Sequence, residues 1–235
     1  ASPASRTCAG WRAARPGSTR SAPVNSLTRP MILARRMAAL FARTQTCQDL
    51  ACTWRHVLRM LSDGQSVSVE DIAMTTGHSA ASLRRTLRRN PMVEWSAEGR
   101  LIGLGLTLRP THQHLKVTGH DLYASSALDP LLLTQVLGKP VRVTTTCRAT
   151  GTKIRLDVAP ANVLEADPPT VAMSVPSHPE AAGHSVPSLP THVSFFRSAQ
   201  AASAWQRDHP GYESLAASDA LSFAGHLNAL LAACR

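Results

Sequence analysis

Aromatic residues are scarce in this chain, at 4% of 235 residues. A core built with so few rings must rest on leucine, valine, alanine and methionine. The length suffices for one large domain or two small ones, and the 43% hydrophobic content allows a real core. No apolar run reaches about 18 residues, which argues against a helical membrane span. The five cysteines (Cys8, Cys47, Cys52, Cys147 and Cys234) are odd in number and irregular in spacing, so a disulfide framework is not expected. Cys47 and Cys52 have four residues between them, and no second pair completes a zinc site. Without a recognisable secretory signal, a reducing, cytoplasmic compartment is the expectation.

Acidic residues and lysine are missing from the first 48 residues, which carry eight arginines: Arg6, Arg12, Arg15, Arg20, Arg29, Arg35, Arg36 and Arg43. The remainder holds 17 basic against 15 acidic residues, so the net charge of +10 belongs mainly to this stretch. It is rich in alanine, serine and proline, a composition that cannot bury a core. Residues 1–30 are therefore expected to be a disordered basic tail, or sequence ahead of a start near Met31 or Met37. A transit peptide shares the arginine and serine content, but no amphipathic stripe is visible before about residue 31.

From residue 31 to 61 apolar positions recur at helical spacing: Leu33, Met37, Leu40, Phe41, then Leu50, Trp54, Val57, Leu58, Leu61. Two helices are predicted, broken near 44–46, with Asp63-Gly64 closing the second. Ser68 caps a short helix carrying Glu70 and Asp71 in its first turn, and Gly77 makes a turn. Ser79 caps a further helix over 80–89, which Asn90-Pro91 ends. Val93-Glu94-Trp95 and Leu101-Ile102-Gly103-Leu104 read as a hairpin. Helix, turn, helix, hairpin is a winged-helix layout.

Beyond residue 105 the character changes. A buried helix is predicted over 127–137. Strands are predicted over 141–146, 153–158, 171–175 and 192–196, the first two by alternation. Four prolines and a glycine make 176–190 a loop, and helices follow over 199–208 and 218–233. The expected fold is α+β: a winged-helix-like helical domain over 31–105, then a mostly antiparallel sheet with flanking helices over 106–235.

Several blocks then carry a resemblance. In order they are Gly99-Arg100-Leu101-Ile102-Gly103-Leu104-Gly105-Leu106-Thr107-Leu108-Arg109, Leu122-Tyr123-Ala124-Ser125-Ser126-Ala127-Leu128-Asp129, Cys147-Arg148-Ala149-Thr150-Gly151, His192-Val193-Ser194-Phe195-Phe196, and Ala204-Trp205 with His209-Pro210-Gly211. Their order and spacing resemble the organomercurial (alkylmercury) lyases, over about residues 33–232. The resemblance implies protonolysis of carbon–mercury bonds in mercury resistance, with no cofactor. Two cysteine thiolates hold the soft metal, a carboxyl group passes a proton to the departing carbon, and the mercury ion leaves to an acceptor thiol or a reductase. Asp129 stands at the acid–base position. Ser126 stands at the first cysteine position. The second, two before His192, is Pro190, with Thr191 beside it. A hydroxyl is a hard, protonated ligand and proline offers none, so weak or absent lyase turnover is expected.

Other readings stay beside this one. If residues 126–129 are helical, Ser126 and Asp129 share a face. Asp129 is then an acid–base group or a fold-holding hydrogen-bond acceptor. Ser126 is a nucleophile or a small buried residue; no Gly-x-Ser-x-Gly elbow surrounds it. Cys147 is a buried small side chain or a ligand for a metal or mercurial. His112 and His114 lie on one face of an extended segment, where His120 or Asp121 would have to complete a metal site. Arg84, Arg85, Arg88 and Arg89 occupy the recognition helix of the winged-helix layout, as a solvated face or as contacts to DNA. The latter describes a DNA-binding or ligand-sensing protein with the lyase-like half as sensor. It gains if that arginine face is left uncovered. The lyase scaffold gains if Ser126, Asp129 and Pro190 line one pocket.

Overall fold

The structure, a computed structural model, describes residues 27–43, 53–179 and 192–232. Of the expected tail, residues 1–26 lie outside the described residues, as do Cys47, Cys52 and Pro190, whereas Arg29 and Pro30 already open the first helix and so do not belong to a disordered tail. Helix α1 (Arg29–Arg43) is followed by α2 (Trp54–Leu61), α3 (Val69–Thr76) and α4 (Ala80–Arg89). Two serines start the last two as predicted: Ser68 accepts from the Asp71 N–H and Ser79 from the Ser82 N–H. Gly77 ends α3 in the left-handed region, at φ +70°. Strands β1 (Val93–Trp95) and β2 (Leu101–Leu104) form the wing, pairing antiparallel.

The wing does not stop at the helical region. Strand β3 (Leu106–Thr107) pairs with both β2 and β5 (His120–Ala124). The sheet then continues through β4 (Gln113–Val117), β6 (Val141–Thr146), β7 (Lys153–Val158) and β8 (Val163–Asp167). Its order is β1-β2-β3-β5-β4-β6-β7-β8, and every pairing is antiparallel. Leu115, Val117, Leu122, Val143, Ile154, Leu156 and Val158 are buried on one face. His114, Lys116, Asp121, Arg142, Arg155 and Asp157 alternate with them, and Arg142 pairs with Asp157 directly across β6–β7.

Helix α5 (Leu128–Leu137) is apolar on nearly every side and accordingly buried, packed on β6 and on α7 (Ala217–Ala232). Helix α1 lies along α7, at the other end of the chain. A second sheet of three strands runs β10 (Phe195–Phe196), β9 (Ala172–Pro176), β11 (Tyr212–Ala216), with α6 (Ala199–Gln206) laid against it. The strand expected over 192–196 is thus confined to Phe195–Phe196. His192 to Ser194 instead serve as an anchoring segment, as the site geometry shows. The hairpin β4–β5 was not predicted. Its turn is Thr118-Gly119, with φ +49° and +92°.

Candidate active site

The segment that carries the resemblance leaves the sheet at the end of β5 and enters α5. Four contacts fix its path. Thr111 Oγ1 donates to the Ala124 carbonyl at 2.7 Å. The Ser125 N–H donates to the Gly105 carbonyl at 3.1 Å, and the Ala127 N–H donates to the Val193 carbonyl at 2.9 Å. The Ser126 N–H donates to Asp129 Oδ2 at 2.6 Å.

Ser126 and Asp129 do come together, but not as two positions on one helix face. The helix begins at Leu128, so Ser126 precedes it and Asp129 lies in its first turn. The carboxylate reaches back over the helix entrance as the acidic half of a capping box does. The conditional i, i+3 expectation is corrected by where the helix starts.

The environment of Asp129 sets its chemistry. Burial of the carboxyl pushes its pKa up to about 6, and hydrogen bonds from the Ser126 N–H, the Ser126 side chain and the Ser125 N–H oppose that rise. The residue as a whole keeps partial exposure, so the carboxyl is crowded by protein without being sealed off. Gly105 closes one side. A Cβ there would lie 3.0 Å from Asp129 Oδ1, and its φ of +79° suits glycine. Ser126 is buried, at 5% exposure. Its backbone N–H and its side chain are both turned to Asp129.

The chain after the second cysteine position docks beside this entrance. The Ser174 hydroxyl donates to the His192 carbonyl at 2.6 Å and accepts from the Ser194 N–H at 3.0 Å. With the Ala127–Val193 bond, this brings His192 and Val193 to the Ser126 segment. The His192 ring faces His209 and Tyr212, at centroid distances of 5.6 and 5.5 Å, and Trp205 stacks on His209 at 3.8 Å. Thr111 and Ser174 leave no signal in the sequence, whereas His192, Trp205 and His209 of the ring cluster fall in the blocks that carry the resemblance.

The remaining candidates lie apart. Cys147 is 2% exposed, at the head of a tight turn in which the Gly151 N–H donates to its carbonyl. Burial pushes its thiol up. Hydrogen bonds from the Thr150 hydroxyl and from the N–H groups of Arg197, Ala149 and Thr150 outweigh that and hold it below the ordinary range. His114 Nε2 meets Asp121 Oδ1 at 2.8 Å, whereas burial, then Arg148, lowers the His112 pKa. Among the described residues, no three His, Cys, Asp or Glu side chains are grouped to hold a metal ion. Arg84, Arg85, Arg88 and Arg89 are all exposed on α4. An open depression of about 270 Å³ is lined by Lys116, Arg142, Asp157 and Leu164 and includes neither Ser126 nor Asp129. No helix among the described residues is long and apolar enough to cross a membrane.

Comparison with known proteins bears on the family and the fold. Residues 106–228 match the family described as Alkylmercury lyase, and residues 33–105 match its helix-turn-helix domain. An alkylmercury lyase of Bacillus cereus is 38% identical over 173 residues, covering 74% of this chain and 79% of that one. One of Streptomyces lividans is 36% identical over 80% of this chain and 87% of its own length. One of Pseudomonas putida is 36% identical over 83% and 92%. A crystal structure of the mercury-bound form of MerB2 shares the fold, with TM-score 0.66, 24% identity and coverage of 85% of this chain and 98% of that one. With both of the family's regions matched in order and relatives above one-third identity, the chain belongs to the alkylmercury lyase family.

Proposed function

We propose that this chain is a lyase-family protein whose carbon–mercury protonolysis is very weak or lost, with the proton-handling half of the site retained. The observation that carries the reading is the Asp129 carboxyl. It is desolvated, with a pKa of about 6, and held against Ser126 at the position where the resemblance requires a thiol. A carboxyl poised near neutrality both holds and releases a proton. In the family reaction the carbon–mercury bond breaks, its electron pair takes that proton, and R–H and the mercury ion separate.

Mercury must first be held, and here the ligands differ. The Ser126 hydroxyl is hard and protonated, while mercury prefers thiolate sulfur. Pro190 adds no ligand. Cys147 sits in its own turn as a structural thiol. The expected compartment is the cytoplasm, where free thiols compete further for any mercurial.

Benzene release from phenylmercury, in the presence of excess small thiol, tests this. Losing only the hydrogen-bond partners that orient a metal's ligands costs about 10- to 100-fold, so loss of the ligands themselves should leave turnover at least about 100-fold below the Bacillus cereus relative assayed alongside. The S126C/P190C variant should recover part of it. Turnover by the unaltered chain equal to that relative's would sink the proposal.

A further inference from the structure

The arginine face of α4 is absorbed by none of this chemistry. Leu83 and Leu87, 4% and 0% exposed, turn one side of the helix into the core. Arg84, Arg85, Arg88 and Arg89 consequently share the outer side, and all are exposed. The helix packs chiefly on α3, and the lyase-like half does not cover the arginines. Arg84 pairs with Glu70. Arg88 lies over the Trp95 ring of the wing, 4.6 Å from its centroid. Arg85 and Arg89 have no hydrogen-bond or ion-pair partner among the described residues. Arg109 extends this surface by donating to the Trp95 carbonyl at 3.1 Å. The nearby acids are Glu70, which Arg84 occupies, Asp71, held in the Ser68 cap, Glu94, bound to Thr107, and Glu98 in the wing turn.

Cations at i and i+4 repel within a helix, and Arg84 with Arg88 and Arg85 with Arg89 are two such pairs. A polyanion would turn that repulsion into attraction. The placement matches one polyanion in shape. In a helix-turn-helix the second helix enters the major groove of duplex DNA, and a wing lies beside the backbone. Here α3, the Gly77 turn and α4 form that unit, and Arg88 on Trp95 ties the entering helix to the wing. We propose that α4 and the β1–β2 wing form a binding surface for B-form duplex DNA. Arg85, Arg88 and Arg89 contact mainly phosphates, so discrimination among sequences is low. This surface is independent of the lyase reading.

Anisotropy of a labelled duplex of about 20 base pairs, titrated with the full chain between about 50 and 200 mM salt, tests it. Each lost phosphate contact removes about 0.9 from the slope of log affinity against log salt, so R85A/R89A should flatten it by about 2 and weaken binding at the lowest salt. R85K/R89K should retain the slope, a result that a folding defect would not give. The arginine-rich first 48 residues are the same in all variants. Absence of binding, or equal slopes for the chain and R85A/R89A, would overturn the proposal by leaving the surface idle or the tail responsible. Equal binding and equal loss on an RNA duplex would also overturn it, since the narrow A-form major groove does not admit a helix.

Discussion

The Ser126 N–H donates to Asp129 Oδ2 at 2.6 Å, and the Asp129 N–H donates back to the Ser126 carbonyl at 3.3 Å. This reciprocal pair makes one carboxylate serve the fold and the candidate chemistry together. It closes the entrance of α5, which is otherwise a buried apolar helix with Ala127 as a poor cap. The desolvation that comes with this position also raises the carboxyl toward neutrality.

Stability should therefore carry a signature of Asp129. The folded carboxyl, at about 6, binds its proton more tightly than the unfolded one, at 3.8. Raising the pH between these values deprotonates the unfolded chain first and draws the equilibrium toward it. The contribution falls across that window and levels off above it, by on the order of 3 kcal/mol. D129N cannot titrate, so in urea unfolding it should gain on the unaltered chain between about pH 4 and 6. A difference between the two that stays flat with pH would remove the raised carboxyl.

Gly105 should resist substitution for two reasons at one position. Alanine would adopt φ +79°, and its Cβ would press Asp129 Oδ1 at 3.0 Å. Strain and displacement together should cost about 1–3 kcal/mol. In the S126C/P190C background, G105A should also lower any recovered benzene release, because the carboxylate moves from its cap. G105A with unchanged urea midpoint and unchanged release would refute the contact.

How much of this could be read from the chain alone depends on the signal each feature leaves. Ser68, Gly77 and Ser79 cap their helices by local chemistry, and the β6–β7 alternation exposes one buried face, so these elements were legible. The β4–β5 hairpin was not. Its turn places Thr118 at positive φ, where sequence rules look for asparagine or aspartate. Strand β3 has two residues and no periodicity to read, yet it joins the wing to the larger sheet. At the site, Ser126 and Asp129 were found through the resemblance. Their mutual capping was hidden, because it turns on whether the helix starts before or after Ser126. The Val193 and Ser174 contacts lie far apart in sequence, and no local pattern encodes them.

Cys147 should show a thiol that ionises readily but reacts slowly. The Thr150 hydroxyl is the first of the hydrogen bonds that lower it, whereas its 2% exposure blocks reagents. In a chain with Cys8, Cys47, Cys52 and Cys234 replaced by serine, T150V should raise the thiolate titration seen by ultraviolet absorbance. Iodoacetamide should modify the folded protein far more slowly than the urea-unfolded one. Equal rates would show that the turn does not bury the sulfur.

On the reading proposed above, the serine at 126 does more than withhold a ligand. Its side chain donates to Asp129 and holds the carboxyl lower than burial alone would. A thiol is a weaker donor than a hydroxyl, so a cysteine at this position would release the carboxyl to a higher pKa and keep it protonated more of the time near neutrality. On that reading, the serine weakens the hold on the metal and lowers, without abolishing, the protonation of the retained carboxyl. Removing the hydroxyl while keeping the backbone N–H separates the two effects. In S126A the Asp129 carboxyl, followed by its carbon-13 resonance across a pH titration, should ionise at a pH above its present value of about 6. S126C should move it in the same direction by less. A midpoint that stays or falls in S126A would show that the hydroxyl does not stabilise the carboxylate, and mercury binding alone would then be what the serine changes.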